Sequence, residues 1–304
     1  LSEEIRADVL HSYASALSGA GDPETAIDVL TEQVAIRRRL GDPMRLAGAL
    51  TNLGNNLVDV GHIEAARTVL DEAAELFVEL GESASLALVE CTLAYGEMIE
   101  GRYGDAEATF SEALRHARSA DHAMSTAVSM SGLGQALTYA DRGADARPHL
   151  VESHERFVEL SVPPGVITAD TMLGLVARNS GDPVTAARHW RSALDGPGQS
   201  WFEQDDYSIL QYAASIIDDL PTAATLVGAA SAAYEKSQVR QVAYVLDDLA
   251  ATRSRLEAQL GPDEFGPRFR AGERRTKAEA LAIGTAALEA YLAAAERTEA
   301  SHLG

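Results

Sequence analysis

One cysteine, Cys91, is all the thiol chemistry in 304 residues, so a disulfide framework within the chain is excluded. A reducing, cytoplasmic setting is the expectation that fits. Aromatic residues make up only 6%, with two tryptophans. No stretch approaches the ~20 consecutive apolar residues that crossing a bilayer requires, and the longest small-residue run, Thr222 to Ala233, is rich in alanine. Cations are scarce as well: 25 Lys and Arg stand against 46 Asp and Glu, a formal charge of −21. Nucleic acid and anionic membrane recruit clustered cations, so neither is expected as a direct partner. The first ten residues carry Glu3, Glu4, Arg6 and Asp8 inside an apolar periodicity and do not form a leader. Beginning at Leu1, the sequence reads as a piece of a longer chain.

What is present is a repeat. Ala14, Gly54, Ala94, Gly134 and Gly174 recur every 40 residues, and Ala26, Ala66, Ala106, Ala146 and Ala186 keep the same interval. Large apolar side chains follow in phase at Leu30, Leu70, Phe110, Leu150 and Trp190. Turn signals fall between the two small positions: Gly21-Asp22-Pro23, Gly61-His62, Gly101-Arg102, Asp141-Arg142-Gly143 and Gly181-Asp182-Pro183. Each unit therefore reads as a helix, a short turn, a second helix and a longer connection, with apolar spacing i, i+3, i+4, i+7 as at Leu70, Ala73, Ala74 and Phe77. Asp before Pro suits a helix start, since Asp caps free N–H groups and Pro fits the first turn. Gly132-Leu133-Gly134 falls inside such a helix with no strand before it, a packing feature rather than a dinucleotide fingerprint. No segment sustains period-two alternation, and the expected fold is all-α.

Small residues at the eighth and twentieth places and a bulky one at the twenty-fourth resemble the tetratricopeptide repeat in a long form of about 40 residues. The resemblance implies a right-handed α-solenoid of stacked helix-turn-helix units. The usual Trp at the fourth place is missing; Leu10, Leu50, Glu90, Met130 and Asp170 stand there. Five units are expected over residues 3–195. A sixth, two residues out of phase at Leu220-Pro221-Thr222-Ala223-Ala224, is expected over 196–236 after Gly196-Pro197-Gly198. A helical capping tail is expected over 237–304: one helix from Val239 to Leu260, a short aromatic segment, and an Ala-rich helix from about Lys277 to Glu296.

The run Ala224 to Tyr234, with Leu260-Gly261, Phe265, Phe269, Gly272 and Ala278-Glu279-Ala280, is similar to the end of the repeat region in large actinobacterial regulators of the LuxR-type and adenylate-cyclase-containing groups. That resemblance implies a multidomain bacterial transcriptional or signalling regulator, with an ATPase module elsewhere in the chain. Within the tail, Arg268, Arg270, Arg274, Arg275 and Lys277 surround a single Glu273. Such a cluster reads either as a solvated basic turn or as a surface that docks another domain of the same full-length chain.

No enzyme motif is present. A phosphate loop is missing, His149 and His154 lack metal-ligand spacing, and His62-Ile63-Glu64 has no paired cysteines. Cys91 reads as a core thiol, and Asp205-Asp206, Asp218-Asp219 and Asp247-Asp248 as solvated charge at helix ends or on polar faces. No cofactor, metal or catalytic residue is expected.

The tetratricopeptide resemblance implies that the first helix of each unit lines a concave groove. It places there His11 and Ser15; Asn52, Asn55 and Asp59; Thr92 and Tyr95; Ser131, Gln135 and Tyr139; and Thr171 and Arg178. The lining is polar and mostly neutral, suited to hydrogen-bonding an extended peptide, a protein segment or a small effector. Arg178 alone is cationic, which argues against a clamp for terminal carboxylates. The expected function is a non-catalytic sensor and protein-interaction domain. A free-standing receptor resembling bacterial peptide-pheromone receptors, and a passive assembly scaffold, remain open.

Overall fold

A computed structural model describes residues 2–195 and 203–303, and every element among them is an α-helix. The Gly196-Pro197-Gly198 connection lies outside the described residues. By their internal contacts the residues form two compact units, one of residues 1–136 with Ser237–Val242, the other of 137–236 with 243–304.

The first unit contains α1 (Glu3–Gly19), α2 (Pro23–Leu40), α3 (Pro43–Val60), α4 (Ile63–Leu80), α5 (Ser83–Ile99), α6 (Tyr103–Ser119) and most of α7 (Ala123–Tyr139). Each helix from α1 to α6 packs against the next. The sequence suggested a longer connection between repeats, but the turn between repeats is as tight as the turn within one. Gly21 and Gly61 turn inside units and Gly41 and Gly81 turn between them, all at φ of +74° to +85°. That left-handed conformation ends a helix at no steric cost for glycine. Asp42 then caps α3 through the Arg45 N–H, as Asp22 caps α2 through Thr25. The length of the 40-residue unit thus goes into helices of 17 or 18 residues rather than into loops.

The small and large positions meet as their spacing suggested. A Cβ on Gly54 would lie 2.4 Å from Leu70, and one on Gly132 would lie 2.1 Å from the Phe110 ring. Ala14, Ala26, Ala47, Ala66 and Ala73 join Leu30, Leu50, Leu70 and Phe77 in one buried cluster. Alanine at 106 is fully buried. Ala106→Leu adds three carbons where neighbouring helices have no room, and is expected to cost about 1–3 kcal/mol in urea denaturation.

The second unit holds α8 (Gly143–Glu159), α9 (Pro163–Asn179), α10 (Pro183–Asp195), α11 (Glu203–Ala214), α12 (Leu220–Lys236), α13 (Ala243–Leu260), α14 (Pro262–Glu273) and α15 (Lys277–Leu303). The helix expected from Val239 starts only at Ala243, because Ser237–Val242 packs with the first unit instead of extending α13. The aromatic segment is itself a helix, α14, started by Pro262 and anchored by buried Phe265 and Phe269. The last helix runs on to Leu303 rather than ending near Glu296.

Helices α12 and α14 touch backbone to backbone. A Cβ on Gly228 would fall 2.1 Å from the Phe269 carbonyl oxygen, and one on Gly272 would fall 2.0 Å from that of Thr225. Helix α15 lies against α10, α11 and α12, with Gly284 over Leu210, Leu288 buried and Glu289 paired to Arg191 at 2.7 Å. By length and mean hydropathy, 1.3 over an 18-residue window within Lys277–Ser301, this helix is apolar enough to cross a bilayer, contrary to the sequence reading. That value comes mostly from alanine, and Glu279 and Glu289 interrupt the stretch.

Candidate functional site

The polar side chains assigned to the first helices fall into two groups, one in each unit. In the first unit they form rungs between successive first helices. Asn52 Nδ2 on α3 donates to His11 Nδ1 on α1 at 3.3 Å. Thr92 Oγ1 on α5 donates to Asn55 Oδ1 at 2.8 Å, with the Leu88 carbonyl at 3.1 Å as its other acceptor. Gln135 Nε2 on α7 reaches the Tyr95 hydroxyl at 3.1 Å and Ser131 Oγ at 3.4 Å. Tyr95 is held edge-on against Phe110, ring centroids 5.3 Å apart.

Exposure falls along this line. His11 and Ser15 are exposed, Asn52, Asn55, Thr92 and Tyr95 half-buried, and Ser131 and Gln135 buried. The accessible part of the face is therefore α1, α3 and α5. Asn52 and Asn55 lie three residues apart on one side of α3, so they are neighbours on the helix surface. Each has one end of its amide held by an adjacent helix while the other, Oδ1 of Asn52 and Nδ2 of Asn55, has no partner among the described residues. Asn56 differs: Ser18 donates to its Oδ1 at 2.6 Å and its Nδ2 donates to the Asn52 carbonyl at 3.0 Å, so both ends serve the fold.

Asp59 is covered from within the same unit. The Arg240 N–H donates to the Asp59 carbonyl, and the aliphatic stem of Arg240 lies over Gly61. Burial pushes the Asp59 carboxyl up to about 7. The 237–242 strap carries no signal in the repeat pattern, which ends before it. Asp59 is thus set apart from the accessible rungs.

In the second unit the corresponding residues serve packing. Tyr139 stacks on Tyr244 of α13 at 4.9 Å. Thr171 is buried and donates to the Ile167 carbonyl at 2.7 Å. Arg178, read from sequence as an inward cation, pairs with Asp248 at 2.6 Å, donates to Ser215 Oγ at 3.1 Å, and lies over the Tyr212 ring. Asp248, read as solvated charge, is instead a mostly buried ion-pair partner, because α13 packs on α11 and α12 and brings Asp248 within reach of Arg178. Their separation of 70 positions hid the pair from sequence reading.

A second cluster was missed although its members are close in sequence, because the repeat pattern tracks small and large apolar positions and not polar ones. Asp170, at the fourth place of its unit, accepts from His189 Nδ1 and from Ser192 Oγ, each at 2.9 Å, with His154 Nε2 at 3.7 Å. Burial would push the Asp170 carboxyl up, but the bonds from His154, His189 and Ser192 outweigh it and hold the group well below the ordinary carboxylate range. Of the basic cluster, Lys277 pairs with Asp206 at 2.7 Å and Arg275 approaches Glu279 at 3.5 Å, while Arg268, Arg270 and Arg274 are exposed. The side chain of Asp205 lies outside the described residues. Cys91 is buried beside Ser129 and its thiol is pushed up to about 12 by burial, which suits packing and not nucleophilic attack. No group of three or more His, Cys, Asp and Glu able to hold a metal occurs among the described residues.

Comparison with known proteins agrees with this architecture. A tetratricopeptide-repeat model matches residues 47–72, spanning the α3–α4 turn. The apo form of RapI is similar at a TM-score of 0.63 and 12% identity, covering 90% of this chain and 75% of that one. A Rap protein complexed with competence and sporulation factor gives 0.60 and 13%, covering 96% and 77%. Aspartyl phosphate phosphatase F from Bacillus subtilis gives 0.56 and 12%, covering 95% and 71%. No curated protein matches the sequence. At these identities the likeness is one of fold: the chain is all-helical, of the tetratricopeptide-repeat type, and contains a tetratricopeptide-repeat region.

Proposed function

We propose that the chain is a non-catalytic interaction domain that binds an extended peptide or protein segment on the α1–α3–α5 face of its first unit. The observation that carries this reading is the pair Asn52 and Asn55. Neighbouring helices fix one end of each amide, and the free ends present one acceptor and one donor side by side. An extended backbone offers the complementary N–H and C=O groups at intervals of about 3.3 Å, independent of its side chains. His11, Thr92 and Tyr95 flank the pair and supply further polar contacts. No Lys or Arg stands among these residues, so the segment is held along its backbone and not by a terminal carboxylate. The likeness to a Rap protein solved with competence and sporulation factor supports a peptide over a small effector.

The tail's resemblance to regulator repeat regions supports placing this domain in a cytoplasmic, multidomain bacterial regulator, where a bound segment shifts the population of states sensed by an output domain. The coding sequence upstream of Leu1 tests that setting, and an open reading frame starting near Leu1 would remove it.

Panning random peptides on the wild-type chain, then measuring the selected peptides by calorimetry on Asn52→Ala/Asn55→Ala, tests the site. Two lost hydrogen bonds predict about a tenfold loss of affinity, with the melting temperature little changed. Peptides that bind the double variant as tightly as wild type, or a library that yields none, would leave the passive scaffold as the better reading.

A further inference from the structure

We propose that the outer face of α1 is the seat of one further helix, supplied by the segment of the polypeptide directly ahead of Leu1. Ile5, Val9, Ser12, Tyr13 and Ala16 lie along one side of α1, at the spacing i, i+4, i+7, i+8, i+11, and carry no charge. Ile5, Val9 and Tyr13 are 49%, 55% and 53% exposed. The end of a helical stack ordinarily shows water a polar face, because nothing stacks on it. This face is apolar.

The repeat identifies what belongs there. Val9, Tyr13 and Ala16 occupy the third, seventh and tenth places of their unit. The same places hold Ala49, Leu53 and Asn56 on α3, Val89, Leu93 and Gly96 on α5, and Ala169, Leu173 and Val176 on α9. All of these are buried except Leu93, which is half-buried. The second helix immediately ahead packs on each: α2 on α3, α4 on α5 and α8 on α9. A Cβ on Gly96 would lie 3.4 Å from Ile63, the first residue of α4, and one on Gly143, the first residue of α8, would lie 3.3 Å from Val176. The opening residue of each of these covering helices thus rests on the tenth place of the next first helix. Ala16 fills that place on α1 and is exposed.

The occupant is therefore an amphipathic helix of the α2 and α4 kind. Its source follows from the same pattern, since each of these covers comes from the chain immediately ahead. A second copy has no free helix of this kind to offer, because its α2 and α4 are each already held between two first helices. One detail differs at α1. Gly41, Gly81 and Ser161 turn the chain into α3, α5 and α9 at left-handed φ, and the residue at that place here is Leu1. Leucine disfavours that conformation, so the join into α1 is expected to be a looser connection of up to about 8 residues.

Reading the coding sequence ahead of Leu1 gives the first test. A segment with helical apolar spacing is expected there, 17 or 18 residues long like α2, α4 and α8. The second test is chemical. Cys91 is buried and its thiol is pushed up to about 12, so Val9→Cys supplies the reactive thiol. Its reaction with dithiobis(nitrobenzoate) is expected to be fast in the chain from Leu1 and about tenfold slower or more in the full-length protein. Ala35→Cys, exposed on α2, is the control and should react equally in both. An upstream segment with no such helix, or equal Val9→Cys rates in the two proteins, overturns the proposal. Slowing that appears in the chain from Leu1 as its concentration rises assigns the face to a second copy and overturns the choice of occupant. The inference shares a longer coding sequence with the proposed regulator setting and nothing with the peptide face. A start codon near Leu1 removes the helix and that setting together, whereas an upstream segment that lacks the helix removes the helix alone.

Discussion

Gly228→Ala is expected to lower the stability of the second unit by about 3 kcal/mol or more, at the top of the range for overpacked interiors. The added Cβ would stand 2.1 Å from the Phe269 carbonyl oxygen and 2.9 Å from its carbonyl carbon. These are backbone atoms of a helix, so no change of rotamer relieves the overlap, and α12 and α14 must separate by more than an ångström. Leu226, Val227, Phe265 and Phe269 share one buried cluster at this crossing, and separation opens all of them. Gly272→Ala meets the Thr225 carbonyl oxygen at 2.0 Å and should behave the same way. Gly48 on α3 is the control: nothing lies within 4 Å of its added Cβ, and alanine there is expected to be neutral or to stabilise by about 0.5–1 kcal/mol. Trp190 is fully buried in the second unit, so its fluorescence reports on that unit. A fall in its thermal midpoint of about 6–12 °C for Gly228→Ala is expected. Equal midpoints for Gly228→Ala and Gly48→Ala would refute the close crossing.

The repeat made much of this fold legible because its contacts are local and recur at fixed spacing. Gly54 against Leu70 and Gly174 against Trp190 are each sixteen positions apart, and each pair sits where one helix crosses the next. The tetratricopeptide resemblance implies one face for Asn52, Asn55, Thr92 and Tyr95, and in the structure their bonds join neighbouring first helices. Register says nothing of depth, however, and Ser131, Gln135 and Thr171 share the phase of accessible residues yet are buried. The tail defeated sequence reading for another reason. Arg178 with Asp248, and Arg240 with Asp59, join segments at separations that no period governs. Hydropathy also misplaced the start of α13, since Val239, Val242 and Val245 continue a helical pattern although the first two lie in the non-helical 237–242 strap.

Asp170→Ala is expected to destabilise the second unit by about 2–4 kcal/mol, since breaking a buried charge pair leaves its partners unanswered. Only 6% of the Asp170 side chain is exposed, while His154 and His189 on the flanking helices α8 and α10 are 31% and 29% exposed, so water offsets part of the loss. The cost should depend on pH in a defined sense. Asp170 titrates below its unfolded value, so its contribution is present above that value, near 3.8, and is lost as pH falls toward the folded value. Its pairing with the Asp170 carboxylate raises His154 above its ordinary 6.5, so that contribution is complete below 6.5 and is lost as pH rises through the folded value. Between about pH 4.5 and 6 both are present, and the difference between wild type and Asp170→Ala should be largest there. Urea denaturation followed by tryptophan fluorescence, at pH 3.5, 5.5 and 8.5, gives the three points. Asp170→Asn keeps the shape and can still accept from Ser192, so it should lose less than alanine at pH 8.5 but nearly as much at pH 5.5, where the charge counts most. A pH-independent difference would show that Asp170 acts through packing and neutral hydrogen bonds, and that the Asp170–His154 pair carries no charge-linked stability.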